Sequence, residues 1–515
     1  MTDAHADAPL SSETLANSAR VVTATVVNAV VSGASTVVVA RALATAAFGE
    51  YSYWIFLMGL IASLSELGVN ARGMNVVVRL WSGGDTGSTA AEMRRLLRFG
   101  LGRALVLGMA TTIVFHAHPV AAVLIAAATM LRSLSTALSV FLVAQRRYRV
   151  LATSSVGVTV AQGIATSWVA IATHDAALTV GVFFAGQLID VAVACAFAPW
   201  HLLFHRADER VSLPRLQPRT LLAFYVLGIC QLVIFSRSET LVLHHANETI
   251  ALGLFAIATT LAARATLLTD ALYASLVPSL GAAANRDRDR AGRAYSTAVR
   301  FSSLVVLLTA LVLGPAIVVL GPIILGASGG PVRVATAIVL GGSLLQTFVY
   351  PLTAIASVEM QRKAVALPAF FGAAFDLVAA IVLVPRYGLS GAAMASLLGA
   401  LGFGLGLCAM VRLHGPTAQT LRAQLLRVAA MIAALIVSGV VTRGAAPVLA
   451  GAILWSTTIV VYAACGAGRG VLIRTDLDRL KGAAPRLAIR VPAATRGLLN
   501  RALLVAPRSS LTTES

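Results

Sequence analysis

Apolar stretches of about 20 residues recur along the whole chain, and they constrain its fold more than any other feature. A helix needs about 20 mostly apolar residues to cross the hydrocarbon core of a bilayer. The chain is 58% hydrophobic and only 12% charged, against about 25% charged in average proteins, and its 515 residues leave no large soluble domain. The predicted fold class is therefore an all-α polytopic membrane protein with about fourteen transmembrane helices. The predicted spans are approximately 20–42, 51–73, 99–117, 120–144, 150–172, 177–200, 220–243, 250–279, 300–320, 333–356, 364–385, 388–411, 427–443 and 447–466.

The basic residues alternate with the apolar stretches in a pattern that indicates the topology. Cytoplasmic segments of membrane proteins carry an excess of Lys and Arg. Of the 40 basic residues, 33 lie on segments that share one side of the membrane, and only Arg41, Arg333, Arg386 and Arg443 lie on the other. We therefore expect a multi-pass protein of the cell (cytoplasmic) membrane with both termini in the cytoplasm. The same pattern accounts for the net charge of +19 without a nucleic-acid partner.

Charged side chains inside the predicted spans are the first candidates for a function. A charge near the bilayer centre costs about 2.5 to 3.5 kcal/mol on insertion scales, so it is expected to face a partner or a water-filled cavity. Four of these residues lie in the stretch Arg219–Leu280, which makes a transport pathway the favoured hypothesis. The full set is Glu66, Arg132, Asp190, Arg237, Glu239, Arg264, Asp270 and Asp376.

Motifs for catalysis or cofactor binding are weak. Two acidic pairs, Asp287–Asp289 and Asp476–Asp478, resemble the metal-binding carboxylates of glycosyltransferases, but both lie among arginines on solvated segments. The four cysteines form no CxxC pair, and no P-loop lysine motif occurs. We predict no enzymatic activity, no cofactor and no metal. A membrane-bound sugar transferase remains an alternative, disfavoured because the external loops are too short for a catalytic domain.

A short internal sequence similarity suggests that the chain contains two related halves. The sequence AFGEY, Ala47–Tyr51, opens the second span, and ALGLF, Ala251–Phe255, opens the eighth, 204 residues later. Six spans separate the two, as expected for parallel repeats. The predicted organisation is a polar N-terminus (1–19), a first lobe of six helices (20–200), a cytoplasmic linker (201–219), a second lobe of six helices (220–411), two further helices (427–466) and a basic cytoplasmic tail with an amphipathic helix (467–515).

Three segments resemble one transporter family. Phe375–Gly399 resembles the eleventh and twelfth helices of bacterial polysaccharide flippases, in which an apolar helix ends in a Pro-x-Tyr-Gly turn that starts the next helix. Arg41–Gly73 resembles the first hairpin of those proteins, and Leu272–Gly292 resembles the end of their eighth helix. The segments occur in the family's order over most of residues 20–411. The resemblance implies the two-lobed fold of the multidrug, oligosaccharidyl-lipid and polysaccharide exporter superfamily.

The resemblance also implies a function. Flippases of this kind move undecaprenyl-diphosphate-linked saccharides from the inner to the outer leaflet by alternating access. The diphosphate calls for cationic contacts, so Arg264, Arg132 and Arg237 are the predicted substrate-binding residues. The partners would be the lipid-linked saccharide, membrane lipids and a coupling H⁺ or Na⁺, and contact with polysaccharide-assembly proteins would fit the same function. The acids predicted to couple an ion or to form ion pairs are Glu66, Asp190, Glu239, Asp270 and Asp376. A cation-coupled multidrug exporter of the same superfamily is the main alternative.

Overall fold

The structure is a computed structural model, and it describes most of the apolar part of the chain. The described residues are 12–66, 77, 80–81, 86–114, 119–145, 147–197, 229–230, 238–263, 265, 288–324, 330–358, 361–411 and 416–464. Every regular element within them is helical, which confirms the predicted all-α fold. The helices are α1 (Ser12–Ala42), α2 (Ala44–Glu66), α3 (Thr86–Val114), α4 (Pro119–Ala144), α5 (Tyr148–Thr173), α6 (Ala176–Phe197), α7 (Glu239–His245), α8 (Thr249–Ala263), α9 (Arg288–Leu308 and Gly314–Ile324, joined by the π-helical turn Thr309–Leu313), α10 (Gly330–Val358), α11 (Arg362–Met410), α12 (Pro416–Val441) and α13 (Pro447–Ala464).

Length and apolar composition make this a multi-pass membrane protein. In the described part of the chain, eight helices are long and apolar enough to cross a membrane. Two shorter apolar helical stretches, Ala126–Leu142 in α4 and Thr249–Ala263, lie within further predicted spans. Most of these helices leave large apolar side chains exposed, such as Trp168, Ile381 and Val448, as expected where lipid replaces water.

The helix α11 is a hairpin of two apolar halves. Gly388 breaks it with φ +51° and ψ −124°, a conformation that favours glycine. Beyond the break the chain runs back along itself, because Gly402 faces Phe375 and Gly406 faces Pro368. The predicted boundary between the spans 364–385 and 388–411 is therefore confirmed.

The chain forms two compact units that do not follow chain order. The first unit comprises Met1–Ala256, Ile324–Ala327 and Asp376–Ala392. The second comprises Ile257–Ile323, Ser328–Phe375 and Ala393–Ser515. The predicted division into lobes at 20–200 and 220–411 stays a prediction, and the linker 201–219 lies outside the described residues, as do the polar N-terminus up to residue 11 and the tail after 464.

In the first unit, polar contacts join α1 to α5, while an apolar core lies between α3 and α4. Asn28 Nδ2 of α1 donates to Ser155 Oγ at 2.7 Å, and Ser35 Oγ donates to the Gly163 carbonyl at 3.1 Å. Hydrogen bonds of this kind hold helices together where lipid provides little apolar driving force. The core contains Met93, Leu138 and Phe141, with the edge of Trp81 against Phe141.

The two similar segments, Ala47–Tyr51 and Ala251–Phe255, lie against each other in the first unit. A Cβ on Gly49 would come within 2.8 Å of the Gly253 nitrogen, and a Cβ on Gly253 would come within 2.0 Å of the Thr45 carbonyl oxygen. The starts of α2 and α8 are therefore in backbone contact, which only residues without a side chain allow. The repeat itself stays a prediction, but the residues that suggested it have a shared structural role.

In the second unit, α12 packs as a core helix. Its Leu435 lies on Gly314 of α9, and its Ile436 lies on Gly341 of α10. Arg333 of α10 is buried and donates through Nη1 to the carbonyls of Thr442 at 2.6 Å and Ala445 at 3.1 Å. These carbonyls end α12 and lead into α13, so the arginine satisfies acceptors that a helix end leaves unpaired.

Candidate functional site

Two carboxyl groups and a hydroxyl form a buried polar group within the first unit. Glu239 and Asp376 are both 0% exposed, and Ser238 is 5% exposed. Ser238 Oγ donates to Asp376 Oδ2 at 2.6 Å, and the Glu239 carboxyl also interacts with that of Asp376. We name Ser238, Glu239 and Asp376 the carboxyl cluster.

Local sequence explains how the cluster forms. Ser238 precedes α7, and Glu239 is the first residue of that helix, so the two side chains leave the chain at one helix start. Asp376 lies in the apolar first half of α11. Its neighbours Phe375 and Val378 are exposed, at 60% and 59%, whereas Asp376 lies on the opposite, packed face. An isolated acid in such a helix is costly, and the serine hydroxyl offsets part of that cost.

The cluster has the chemistry of a cation or proton site. Two carboxylates in contact repel each other in a buried environment when both are ionised, and a shared proton or a bound cation removes the repulsion. Asp376 Oδ1 receives no hydrogen bond from any described residue, which leaves it available as an acceptor. Among the described residues, no group of three or more His, Cys, Asp and Glu side chains is arranged to hold a metal ion.

A second acid pairs with a hydroxyl between α4 and α6. Ser135 Oγ of α4 donates to Asp190 Oδ2 of α6. Asp190 is only half-buried, whereas Asp376 is fully buried. A serine hydroxyl therefore donates a hydrogen bond to each of Asp190 and Asp376. These are the two predicted aspartates whose side chains the structure describes.

Arg132 lies near the middle of α4 and is exposed on the surface of the first unit. It precedes Ser135 by one helical turn, which places both on one side of α4. An exposed guanidinium at this depth is far more stable beside water or an anion than beside lipid tails. The position is thus compatible with the predicted contact to an anionic head group.

The remaining predicted site residues cannot be placed. Arg237, Arg264 and Asp270 lie outside the described residues. Glu66 is the last residue of α2, but its side chain is not among those described. Their roles stay predictions. Of the eight residues, the structure brings Glu239 and Asp376 together and places Asp190 and Arg132 on adjoining helices.

Sequence reasoning missed the two serines. Ser238 and Ser135 look like ordinary small residues, since hydroxyls are common in membrane helices and carry no charge to mark them. The available signal for Ser238 was its position next to an intramembrane glutamate. Ser135 had a weaker signal, its spacing of three residues from Arg132, and neither signal identifies the aspartate partner.

The fold of the chain is similar to that of solved membrane proteins. No protein-family model and no curated protein sequence matches the chain. Among solved structures, the lipid II flippase MurJ in an inward closed conformation matches with a TM-score of 0.50 and 13% identity, covering 86% of this chain and 98% of that one. An inward-facing multidrug resistance MATE family transporter of the MOP superfamily matches with a TM-score of 0.49 and 14% identity, covering 78% of this chain and 95% of that one. The likeness to the flippase structure confirms the expected all-α, polytopic fold.

Proposed function

We propose that this protein is a membrane transporter that flips an undecaprenyl-diphosphate-type, lipid-linked saccharide from the inner to the outer leaflet by alternating access. The carboxyl cluster is the observation that carries the proposal. Two buried acids in an apolar helix bundle cost stability, so they indicate a function that uses charge inside the membrane. A fold similar to that of a lipid II flippase supports the same conclusion.

The cluster would couple transport to a cation. Binding of a proton or a sodium ion neutralises the repulsion between Glu239 and Asp376, and release restores it. Because Glu239 starts α7 and Asp376 lies in α11, this change acts on two helices at once. An ion gradient can thereby bias the equilibrium between two conformations, as ligand binding does in any two-state protein.

The substrate would be held by arginines and driven partly by the membrane potential. Arg132 is exposed near the middle of α4, and Arg264 is the second predicted contact, by sequence position. A guanidinium matches the planar, bidentate geometry of phosphate oxygens. With a negative cell interior, each head-group charge that moves outward gains about 2.3 kcal/mol per 100 mV if it crosses the full field.

Reconstituted vesicles test the proposal. A fluorescent undecaprenyl-diphosphate disaccharide is incorporated, and its accessibility to an impermeant quencher is followed under a proton or a sodium gradient. We expect the wild-type protein to flip the lipid faster with one of the two gradients. Glu239→Gln and Asp376→Asn should lose that acceleration, and Arg132→Ala should slow flipping by about tenfold, the effect of about 1.4 kcal/mol of lost binding.

The control is Asp175→Asn, which changes an exposed acid in the turn between α5 and α6 and keeps an acceptor for the α6 N-terminus. It should behave as wild type. An unchanged gradient response in Asp376→Asn would remove the cluster from coupling. Lipid movement equal to that of protein-free vesicles would contradict the flippase proposal.

One observation favours a second function, the export of cationic drugs. Among the eight predicted site residues, the five acids outnumber the three arginines. Acids in a transport path suit cationic substrates. Gradient-dependent efflux of a lipophilic cation from the same vesicles, without lipid flipping, would establish this function instead.

A further inference from the structure

The exposed face of α3 carries two arginines beneath an apolar stripe. Arg95 and Arg98 are exposed, and the stripe continues along the same face of the helix. The stripe consists of Phe99, Leu105, Val106 and Met109, which are 64%, 45%, 65% and 57% exposed. The opposite face is packed into the core through Met93, Leu96 and Ala104. An exposed apolar stripe of this kind is expected on the side of a membrane helix that faces lipid.

The length of α3 places the arginines at the membrane surface. Its 29 residues span about 43 Å, whereas the hydrocarbon core is about 30 Å thick. The apolar sequence begins at Phe99, so the turns before it extend into the head-group layer. By the arginine-based topology, this end of the helix is cytoplasmic. Arg95 and Arg98 thus lie where lipid phosphates are found.

The surface has a shape as well as a charge. Gly102 is exposed, and a Cβ at this position would meet no atom within 4 Å, so the glycine leaves a notch in the stripe. Beside the notch, the Arg103 guanidinium lies over the Phe99 ring, 4.7 Å from its centroid. This stacking directs a further cationic group along the head-group end of the stripe. The helix contains one acid, Glu92, which lies one turn before Arg95 and is fully buried.

We infer that this face of α3 binds an anionic phospholipid of the inner leaflet. Arg95 and Arg98 contact its phosphodiester, and one acyl chain lies along the stripe across the Gly102 notch. Charge complementarity identifies the occupant, because Arg95 and Arg98 are exposed whereas Glu92, the one acid of the helix, is buried. The apolar stripe directly above them suits a lipid rather than a soluble phosphate. The inference does not depend on the proposed transport function.

Lipid binding to the purified full-length protein tests the inference. Native mass spectrometry in detergent compares dioleoyl-phosphatidylglycerol with dioleoyl-phosphatidylcholine. We expect tighter binding of the anionic lipid by the wild-type protein. The double variant Arg95→Gln/Arg98→Gln should bind it about 25-fold more weakly, since each arginine near an anionic surface contributes about fivefold.

Matched controls separate this site from general attraction of lipids to arginines. Arg147→Gln/Arg149→Gln removes two exposed arginines at the start of α5 and should bind phosphatidylglycerol as the wild type does. Gly102→Leu fills the notch without changing charge and should weaken binding several-fold. The control Gly157→Leu lies on α5, where a Cβ also meets nothing within 4 Å, and it should have no effect.

Four results would overturn the inference. The first is equal binding of the two phospholipids, and the second is an equal loss in the two double-arginine variants. The third is a loss of undecaprenyl phosphate binding in Arg95→Gln/Arg98→Gln with phosphatidylglycerol binding unchanged. This result would make the face a substrate surface. The fourth is loss of a dimer peak in place of a lipid adduct, which would make it an interface between two copies.

Discussion

At the residue scale, the sequence identifies the charged members of the carboxyl cluster but not their arrangement. Glu239 and Asp376 stand out because acids are rare within apolar spans. Their contact joins distant parts of the chain and depends on how α7 meets α11, which no local pattern encodes. Ser238 becomes a functional candidate only once its hydroxyl is found on Asp376.

His244, at the end of α7, permits a prediction about pH. Its ring stacks on Tyr53 of α2, with centroids 3.7 Å apart and planes 6° from parallel. Partial desolvation lowers the pKa of His244; Glu50 opposes this by raising it, and His245 lowers it further. The unfolded chain therefore binds a proton at a higher pH than the folded protein does. The contribution of His244 to stability is present above the usual histidine pKa and is lost as pH falls toward the lowered value.

An NMR titration of histidine-labelled protein in nanodiscs checks this prediction. The midpoint of His244 should lie below about 6.5, the ordinary histidine value. Glu50→Gln should lower it further, because the variant removes the attraction that favours the charged ring. A midpoint at the ordinary value, or a rise in Glu50→Gln, would contradict the assignment. His244→Gln identifies the resonance.

At the element scale, the sequence predicts helices and turns better than it predicts their contacts. The hairpin α11 was predicted from two hydropathy spans, 364–385 and 388–411, and from the resemblance of the turn between them to the Pro-x-Tyr-Gly turn of the flippases. The φ of +51° at Gly388 explains why a glycine stands there. The helix α3 begins at Thr86, well before the predicted span 99–117. Arginines in its first turns lower the hydropathy while remaining good helix formers. A hydropathy window detects the apolar part of a helix that crosses the membrane, and not the ends of the helix.

The glycine contact between α2 and α8 gives a prediction about packing. A Cβ added at Gly253 would lie 2.0 Å from the Thr45 carbonyl oxygen, so Gly253→Ala must push the two helices apart. Overpacking of this kind costs about 1 to 3 kcal/mol. We expect a lower midpoint in thermal unfolding followed by intrinsic fluorescence in one detergent. Gly59→Ala on α2, where a Cβ meets nothing within 4 Å, should melt at or slightly above the wild-type temperature. Equal midpoints for the two variants would contradict the contact.

At the scale of the whole molecule, the sequence predicts membrane crossing and fold class because both depend on summed properties of long stretches. The arrangement of the compact units was not predictable in the same way. The first unit takes in residues 376–392 from the hairpin α11, a segment that stands far along the chain. Contacts in the folded protein determine that this segment belongs to the first unit. The predicted lobes, in contrast, were continuous segments of the chain.

The predicted topology can be tested across a single helix. The 26 residues of α5 span about 39 Å, enough to cross the bilayer, and exposed residues stand beyond each end, Arg147 before it and Asp175 after it. In a cysteine-free background, Asp175→Cys should react with an impermeant maleimide in intact cells. Arg147→Cys should react only after permeabilisation. The reverse pattern would invert the topology and place both termini outside.

The buried contact of Arg333 with the end of α12 bears on how the chain can be divided. Shortening the protein to its first twelve predicted spans would remove the carbonyls of Thr442 and Ala445, to which Arg333 donates. The buried guanidinium of Arg333 would then lose both of these hydrogen bonds. The shortening would also uncover Gly314 and Gly341, on which Leu435 and Ile436 lie. The helix α12 is therefore part of the packing of the second unit and not a detachable addition to it. A portion of the second unit that keeps these contacts must therefore extend at least to Ala445, beyond the end of α12.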